Sequence, residues 1–143
     1  MDLNLLRTQH AEITDAARLL ADAIAQSVQP PGVGQLRWRL ARLLMTHLAL
    51  EDRIVYPTLQ RSLDADQRAQ AALLQRQMGG LAQRFADYTA GWSDDRITRE
   101  WPLFCSETRL ILEALDARIA LEDRFYGALR ADPDKRVGRC PCP

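Results

Sequence analysis

The sequence contains no apolar run as long as the about 18 residues that a membrane-spanning helix needs. Its first ten residues, MDLNLLRTQH, have neither the basic start nor the continuous apolar stretch of a secretory signal. Both absences argue against a membrane role. We therefore expect no membrane partner and a cytoplasmic location.

An excess of charge of either sign is also missing, because 19 lysine and arginine residues balance 19 aspartate and glutamate residues. A protein without net charge has no overall field that attracts nucleic acid or an anionic surface. The basic residues are also scattered along the chain rather than collected in one run. We expect no nucleic-acid partner.

Cysteine is scarce, and the three present cannot build a disulfide framework. Cys105 lies within a helical pattern, which favours a small core or boundary residue. Cys140 and Cys142 lie in the terminal RCPCP, too close together to staple a fold. Cys-Pro pairs can ligate haem or metal, but we prefer to interpret residues 132–143 as a short flexible tail. The role of the two cysteines stays open.

Strand signals are absent, since no stretch alternates with a period of two. Four segments instead repeat apolar residues every three or four positions. Asp2 and Asp64 are placed to cap the first and third, and the fourth begins between Thr98 and Pro102. In the second, the stripe continues through Ile54, and Pro57 is expected to bend the last turn. Short connections predict one all-α domain over residues 1–131, an antiparallel up-down-up-down four-helix bundle.

Ionisable residues interrupt these apolar stripes at positions that should face the core. They are His10, His47, Glu51, Arg118 and Glu122. Such groups are rarely buried unless they are paired or bind a metal ion. The chain has only two histidines, and both fall on core stripes. The pattern predicts a buried polar site.

The two halves of the chain are related. The motif Ala-Leu-Glu-Asp-Arg occurs at 49–53 and again at 120–124, preceded by His47 in the first copy and Arg118 in the second. LRTQHAEI in the first segment also matches LQRQMGGL in the third, which aligns His10 with Met78. The chain therefore consists of two similar helical hairpins.

A histidine on the first helix followed by HLALEDRIVYP on the second resembles the hemerythrin-like, HHE cation-binding family, and the likeness spans nearly the whole chain. The resemblance implies a hemerythrin-like bundle that holds two irons, bridged by carboxylates from the second and fourth helices. Histidines from each hairpin complete the iron sites. Members bind oxygen, sense oxygen or iron, or handle nitric oxide and damaged iron–sulfur clusters.

The chain departs from the family pattern only at the ligand positions of one of the two irons. His10 and His47 match its first two histidine positions, and its two bridging carboxylates match Glu51 and Glu122. Its third-helix and fourth-helix histidine positions hold Met78 and Arg118 instead. The resemblance thus implies that one ion's ligands are lost and the other's are kept.

The remaining set suits one divalent ion. His47 and Glu51 lie one helical turn apart and can chelate a single ion, with His10 and Glu122 completing the site. Two nitrogens and two oxygens suit Fe(II), Mn(II) or Zn(II). We expect iron, while manganese, zinc or no ion at all stay open. Arg118 is expected to replace the second ion as a fixed positive charge, fastened to Glu122 and to Glu51.

Three further residues are expected to line the pocket: Tyr56, Met78 and Gly79. Met78 is interpreted as core filler, and Tyr56 and Tyr126 as aromatic packing that could also donate hydrogen bonds to the site. Gly79 and Gly80 either permit close helix contact, leave room for a small ligand or mark a local bend.

The leading expectation is a non-enzymatic sensor or regulatory binding protein with at most one metal ion. One alternative is a metal-free interaction module with a buried Glu/Arg/His network, meeting a protein partner or a second copy in a homodimer through exposed tryptophans. Its candidate contacts are Trp38, Trp92 and Trp101. Another alternative is a non-haem iron protein that handles oxygen or nitric oxide, with a small diatomic ligand.

Overall fold

The computed structural model describes residues 1–131, which form helices without strands. The helices are α1 (Leu3–Ile24), α2 (Val33–Leu50), α3 (Tyr56–Gln60), α4 (Ala65–Gly91), α5 (Asp94–Arg99) and α6 (Trp101–Ala131), with a π-helical turn at Glu51–Val55. Among these residues, no helix is long and apolar enough to cross a membrane. The expected tail, with Cys140 and Cys142, lies outside the described residues.

The helix starts follow the sequence signals in part. The carboxylates of Asp2 and Asp64 cap α1 and α4 by accepting hydrogen bonds from backbone N–H groups of the first turn. Ser93 caps the short helix α5, which the sequence analysis did not predict. The last long helix then begins at Trp101, with Pro102 in its first turn as expected.

α2, the π-helical turn and α3 follow one another without a break from residue 33 to residue 60. In the turn, the backbone N–H of Tyr56 donates to the carbonyl oxygen of Glu51, five residues earlier. Pro57 follows directly, and in a regular α-helix its ring would crowd the carbonyl group of Arg53. We attribute the wide turn to this proline.

The π-helical turn changes which residues face the core. Val55, Tyr56 and Leu59 are buried after the turn, whereas Ile54 is 46% exposed. The prediction that the apolar stripe continues through Ile54 is therefore wrong. The reason is physical: a π-helical turn adds one residue, so a stripe counted with a regular helical period points to the wrong face beyond Glu51.

The same extra residue explains a difference between the two copies of the repeated motif. Tyr56 follows Glu51 by five positions, whereas Tyr126 follows Glu122 by four. The π-helical turn absorbs the additional residue of the first copy. Both tyrosines are buried, and both donate a hydrogen bond to the carboxylate of Glu51.

The long helices pack as a four-helix bundle, in which α1 lies against α2 and α6, and α4 lies against α2, α3 and α6. The all-α bundle predicted from the sequence is confirmed. Two apolar clusters fill its interior. Along α1 the chain passes from Leu6 in one cluster through His10 to Ile13 in the other, so a polar layer divides the core.

The tryptophans differ from the expectation for a partner surface. Trp38 is 55% exposed, whereas Trp92 and Trp101 are buried in the larger apolar cluster. Trp92 and Trp101 are therefore unsuitable as contacts for a partner. Arg37, which the apolar pattern did not predict to be buried, lies in the core. It donates hydrogen bonds to the carbonyl groups of Thr89 and Trp92 and so connects α2 to the end of α4.

Candidate metal site

Four segments bring four buried side chains together in the polar layer. His10 comes from α1, His47 from α2, Glu51 from the π-helical turn and Glu122 from α6. One ligand atom from each lies within 4.8 Å of the others. The structure thus assembles all four residues that the sequence analysis assigned to a metal site.

The distances between donor atoms are close to those of a coordination shell. Nε2 of His47 lies 3.0 Å from Nε2 of His10 and 3.1 Å from Oε1 of Glu51. Oε2 of Glu122 lies 3.5 Å from Nε2 of His10 and 4.0 Å from Nε2 of His47. Ligands at about 2.1 Å from a tetrahedral ion are roughly 3.4 Å apart. Small side-chain movements would place all four around one ion.

Both imidazole rings are oriented by partners on their outer nitrogens. Nδ1 of His10 donates to Oδ1 of Asp123 at 2.6 Å, and Nδ1 of His47 donates to Oε1 of Gln9 at 2.9 Å. Such hydrogen bonds fix the tautomer and leave each Nε2 free to bind a metal. Asp123 and Gln9 were not predicted from the sequence, although both are direct chain neighbours of predicted ligands.

The two carboxylates have different surroundings. Tyr126 donates to Oε1 of Glu51 at 2.9 Å, and Tyr56 donates to Oε2 of the same carboxylate at 3.4 Å. These bonds confirm that both tyrosines can donate to the site. Neither oxygen of Glu122 accepts a hydrogen bond of good geometry from residues 1–131. A buried carboxylate without such donors is suited to a bound cation.

Arg118 occupies the other side of Glu122. Its Nε lies 3.4 Å from Oε1 of Glu122, and its Nη2 donates to the carbonyl oxygen of Leu74 at 2.5 Å and to the Tyr56 hydroxyl at 3.2 Å. The predicted pairing with Glu122 is present. The predicted link to Glu51 runs through Tyr56, which accepts from Arg118 and donates to Glu51.

A family model of the hemerythrin HHE cation-binding domain matches residues 1–129. The chain belongs to this family. No curated protein and no solved structure matches it. Membership in a cation-binding family and the buried ligand cluster together indicate that this hemerythrin-like domain binds metal.

The remaining pocket residues of the hemerythrin-like domain lie in different places. Met78 is buried in the larger apolar cluster, in agreement with its interpretation as core filler. Gly79 and Gly80 are exposed on α4, and a Cβ atom added to either would meet no atom within 4 Å. The structure therefore gives Gly79 no place in the lining of the buried site, and close helix contact does not require either glycine.

Burial and the neighbouring charges shift the pKa values in the site. Burial alone would lower the pKa of His47, but its contacts with Glu122 and Glu51 raise that pKa to about 9. The pKa of His10 is raised as well, against the effect of burial, by Glu122 and Asp123. In the metal-free domain, protons on the imidazoles thus take the place of the cation.

The two carboxylates share their negative charge unequally. Burial, together with the nearby Glu122, raises the pKa of Glu51 to about 7. Burial opposes ionisation of Glu122 too, but His10, His47 and Arg118 hold its pKa well below the usual range. Glu122 is therefore the more readily ionised of the two carboxylates.

The donor set of this hemerythrin-like domain fits one ion and does not fit two. Two imidazoles and two carboxylates supply nitrogen and oxygen ligands on the side of His10. On the other side, a permanently protonated guanidinium and a thioether in the apolar core replace the histidines of the family pattern. A second cation beside Arg118 would face a fixed positive charge.

Proposed function

We propose that this hemerythrin-like domain binds one divalent metal ion per chain through His10, His47, Glu51 and Glu122. The observation that carries the proposal is the convergence of the two imidazole Nε2 atoms. They face each other at 3.0 Å while each Nδ1 donates to an oxygen. Two nitrogen lone pairs at this distance repel each other unless a proton or a cation lies between them. The carboxylates of Glu51 and Glu122 lie close to these nitrogens.

Iron is the proposed ion, because it is the usual ion of the family and suits a mixed nitrogen and oxygen ligand set. Manganese and zinc would fit the same donors. A bound ion would supply Lewis acidity and, for iron, one-electron redox chemistry. The side chains of the site would hold that ion, orient the imidazoles through Gln9 and Asp123, and exclude water.

We propose a sensory or regulatory role rather than a catalytic one. A single ion cannot deliver the two electrons that reversible oxygen carriage by a pair of irons requires. Four protein ligands leave room for one small ligand, such as a diatomic gas, at an ion that prefers more than four. Since the ligands come from α1, α2, the π-helical turn and α6, a change at the ion would be transmitted to all four of these elements.

Metal stoichiometry tests the proposal. Protein purified without chelators and protein reconstituted anaerobically with Fe(II) should each contain about one ion per chain by elemental analysis. The double variant H10Q/H47Q should contain none while keeping its helical circular dichroism spectrum. Two ions per chain in the wild type would contradict the proposal.

The same variants distinguish the metal-free alternative. If added Fe(II), Mn(II) and Zn(II) never raise the melting temperature of the wild type, the buried Glu/Arg/His network is a structural scaffold rather than a metal site. The metal model requires a rise in the wild type and none in H10Q/H47Q. Arg76→Gln, at an exposed position of α4, is a control that should respond like the wild type.

A further inference from the structure

We propose that the outer face of α6 is a homodimer interface, on which α6 of a second copy of the chain packs in the antiparallel direction. Other residues of α6 fill the core of the bundle, but a second stripe of residues lies on the surface of this helix. Its members are spaced alternately three and four positions apart, which is the spacing of a coiled-coil seam. This outer stripe consists of Glu107, Leu110, Ala114, Ala117, Leu121 and Arg124.

The middle of the outer stripe is apolar although it faces solvent. Leu110 is 60% exposed and Leu121 is 38% exposed. Between them lie Ala114, which is half-buried, and Ala117, which is exposed. The solvent-facing side of a bundle helix is normally polar. Two leucines flanking two small residues instead provide apolar contacts around a point where a second helix can approach closely.

Two open cavities between α4 and α6 lie beside the outer stripe. Leu110 lines one cavity, which has a volume of about 300 Å³. Leu121 lines the other, which has a volume of about 320 Å³ and also borders both alanines. In coiled-coil packing, a side chain of one helix inserts into a hollow between residues of the facing surface. The two cavities provide such hollows for the leucines of a second copy.

The order of residues along the outer stripe is self-complementary, which identifies the partner as a second copy of the same chain. When two α6 helices cross antiparallel at the two alanines, Leu110 of each copy lies opposite Leu121 of the other. Glu107 of each copy then lies opposite Arg124 of the other, and a two-fold axis forms every contact twice. In the parallel direction, each glutamate and each arginine would face its own kind. The charges therefore favour the antiparallel arrangement.

The two charged residues at the ends of the stripe lack partners on their own helix. The residues three and four positions away from Glu107 and from Arg124 are all uncharged, so neither forms an ion pair within one helical turn. The indole N–H of Trp92 donates to Oε2 of Glu107 at 2.7 Å, which orients the carboxylate and leaves Oε1 for another donor. Arg124 is exposed. An ion pair between copies would supply each with an opposite charge and fix the register of the two helices.

Sedimentation equilibrium of the full chain in a reducing buffer, from about 1 to 200 µM, tests the interface. The wild type should show a reversible monomer–dimer equilibrium. Arg124→Glu should weaken dimerisation at least tenfold, because the new charge would face Glu107 of the second copy. Arg109→Glu makes the same change of charge at an exposed position of α6 beside α1 and should leave the equilibrium unchanged. A wild type that stays monomeric at every concentration, or equal weakening by both variants, would overturn the proposal.

Two further measurements test the register and the apolar seam. Glu107→Arg alone should also weaken dimerisation, but an equimolar mixture of this variant with Arg124→Glu should associate within threefold of the wild-type affinity, since opposite charges then face each other again. A mixture that does not associate would overturn the antiparallel register. Leu110→Gln keeps both charges and should weaken the dimer at least tenfold, whereas Leu19→Gln, at a leucine of α1 that is 45% exposed, should not. Equal affinities of these two variants would overturn the apolar seam. None of these measurements requires a metal ion, so their outcome is independent of the proposed function.

Discussion

Asp52 and Asp123 occupy the same position in the two copies of the repeated motif, but their surroundings differ. Asp123 is half-exposed and accepts a hydrogen bond of 2.6 Å from Nδ1 of His10. Asp52 is exposed, and its copy of the motif is preceded by His47, itself a proposed ligand. The repeat thus provides an imidazole in one copy and an orienting carboxylate in the other.

The two aspartates form a matched pair for testing the metal site. Asp123→Asn should weaken metal binding by roughly 10-fold to 100-fold, because the amide holds the His10 tautomer less firmly than the carboxylate does. Asp52→Asn should leave the affinity unchanged. Competition titrations with a chelating dye measure both. Equal affinities for the two variants would show that Asp123 does not position His10.

A second prediction concerns pH. In the metal-free protein His47 has a pKa of about 9, so it is protonated at pH 7 and an entering ion must displace that proton. Metal affinity should therefore rise at least about tenfold between pH 7 and pH 8 and level off above pH 9, since His10, whose pKa is also raised, must give up any proton on its Nε2 as well. Below pH 7 the slope should steepen, because Glu51, with a pKa of about 7, must then lose a proton too.

Proton release makes this prediction measurable. Calorimetric titration with Zn(II) at pH 7, repeated in two buffers of different ionisation enthalpy, counts the protons released per ion. At least one proton should be released. A metal affinity that does not change between pH 6 and pH 9 would contradict the raised pKa of His47.

Among the secondary-structure elements, the main irregular feature is the π-helical turn at Glu51–Val55. It separates Glu51, a proposed ligand, from Tyr56, which donates a hydrogen bond to that ligand. Five residues in a regular α-helix would place Tyr56 far around the helix from Glu51, whereas the wider turn brings it back to the same face. The π-helical turn therefore accommodates Pro57 and also places Tyr56 within hydrogen-bonding distance of Glu51.

Removing one residue should convert this turn to a regular helix. Deletion of the exposed Ile54 gives the first copy the spacing of the second, with tyrosine four positions after glutamate. Pro57 would then lie in a regular helix interior, which costs about 3 kcal/mol. The deletion alone should lower the free energy of unfolding by about that amount, and adding Pro57→Ala should recover most of it.

Chemical denaturation monitored by circular dichroism measures both variants. Metal stoichiometry should stay near one ion per chain in the deletion combined with Pro57→Ala. The control is deletion of Ala49, which lies between His47 and Glu51 and would rotate one proposed ligand away from the other. If Pro57→Ala fails to rescue the Ile54 deletion, the proline is not the reason for the wide turn.

The sequence predicted the helices better than their irregularities. Ionisable residues on apolar stripes identified all four residues of the buried cluster, because a buried charge is a rare event with few explanations. The π-helical turn was not predictable from a regular period, which assumes that every turn has the same number of residues. Gln9 and Asp123 were missed because side-chain direction decides their role, and a stripe does not reveal it.

On the scale of the whole molecule, the polar layer divides the hydrophobic core into two clusters. A continuous apolar core would be more stable than a layer of buried ionisable groups, which must be paired or neutralised. Without metal, protonated imidazoles and Arg118 neutralise the buried carboxylates. A cation bound at the proposed site would replace the protons and link α1, α2 and α6 directly, while α4 contributes a carbonyl group to Arg118.

Metal removal should therefore weaken the bundle globally. At a free metal concentration 100 times the dissociation constant, one ion stabilises the folded state by about 2.7 kcal/mol. For a chain of this size, chelation should lower the melting temperature by about 5 to 10 °C. Hydrogen exchange locates the effect: amides near His10, His47 and Glu122 should exchange more slowly with metal, and those of α5 should change least. Because α5 supplies none of the four proposed ligands, equal slowing of α5 would show that the ion acts elsewhere.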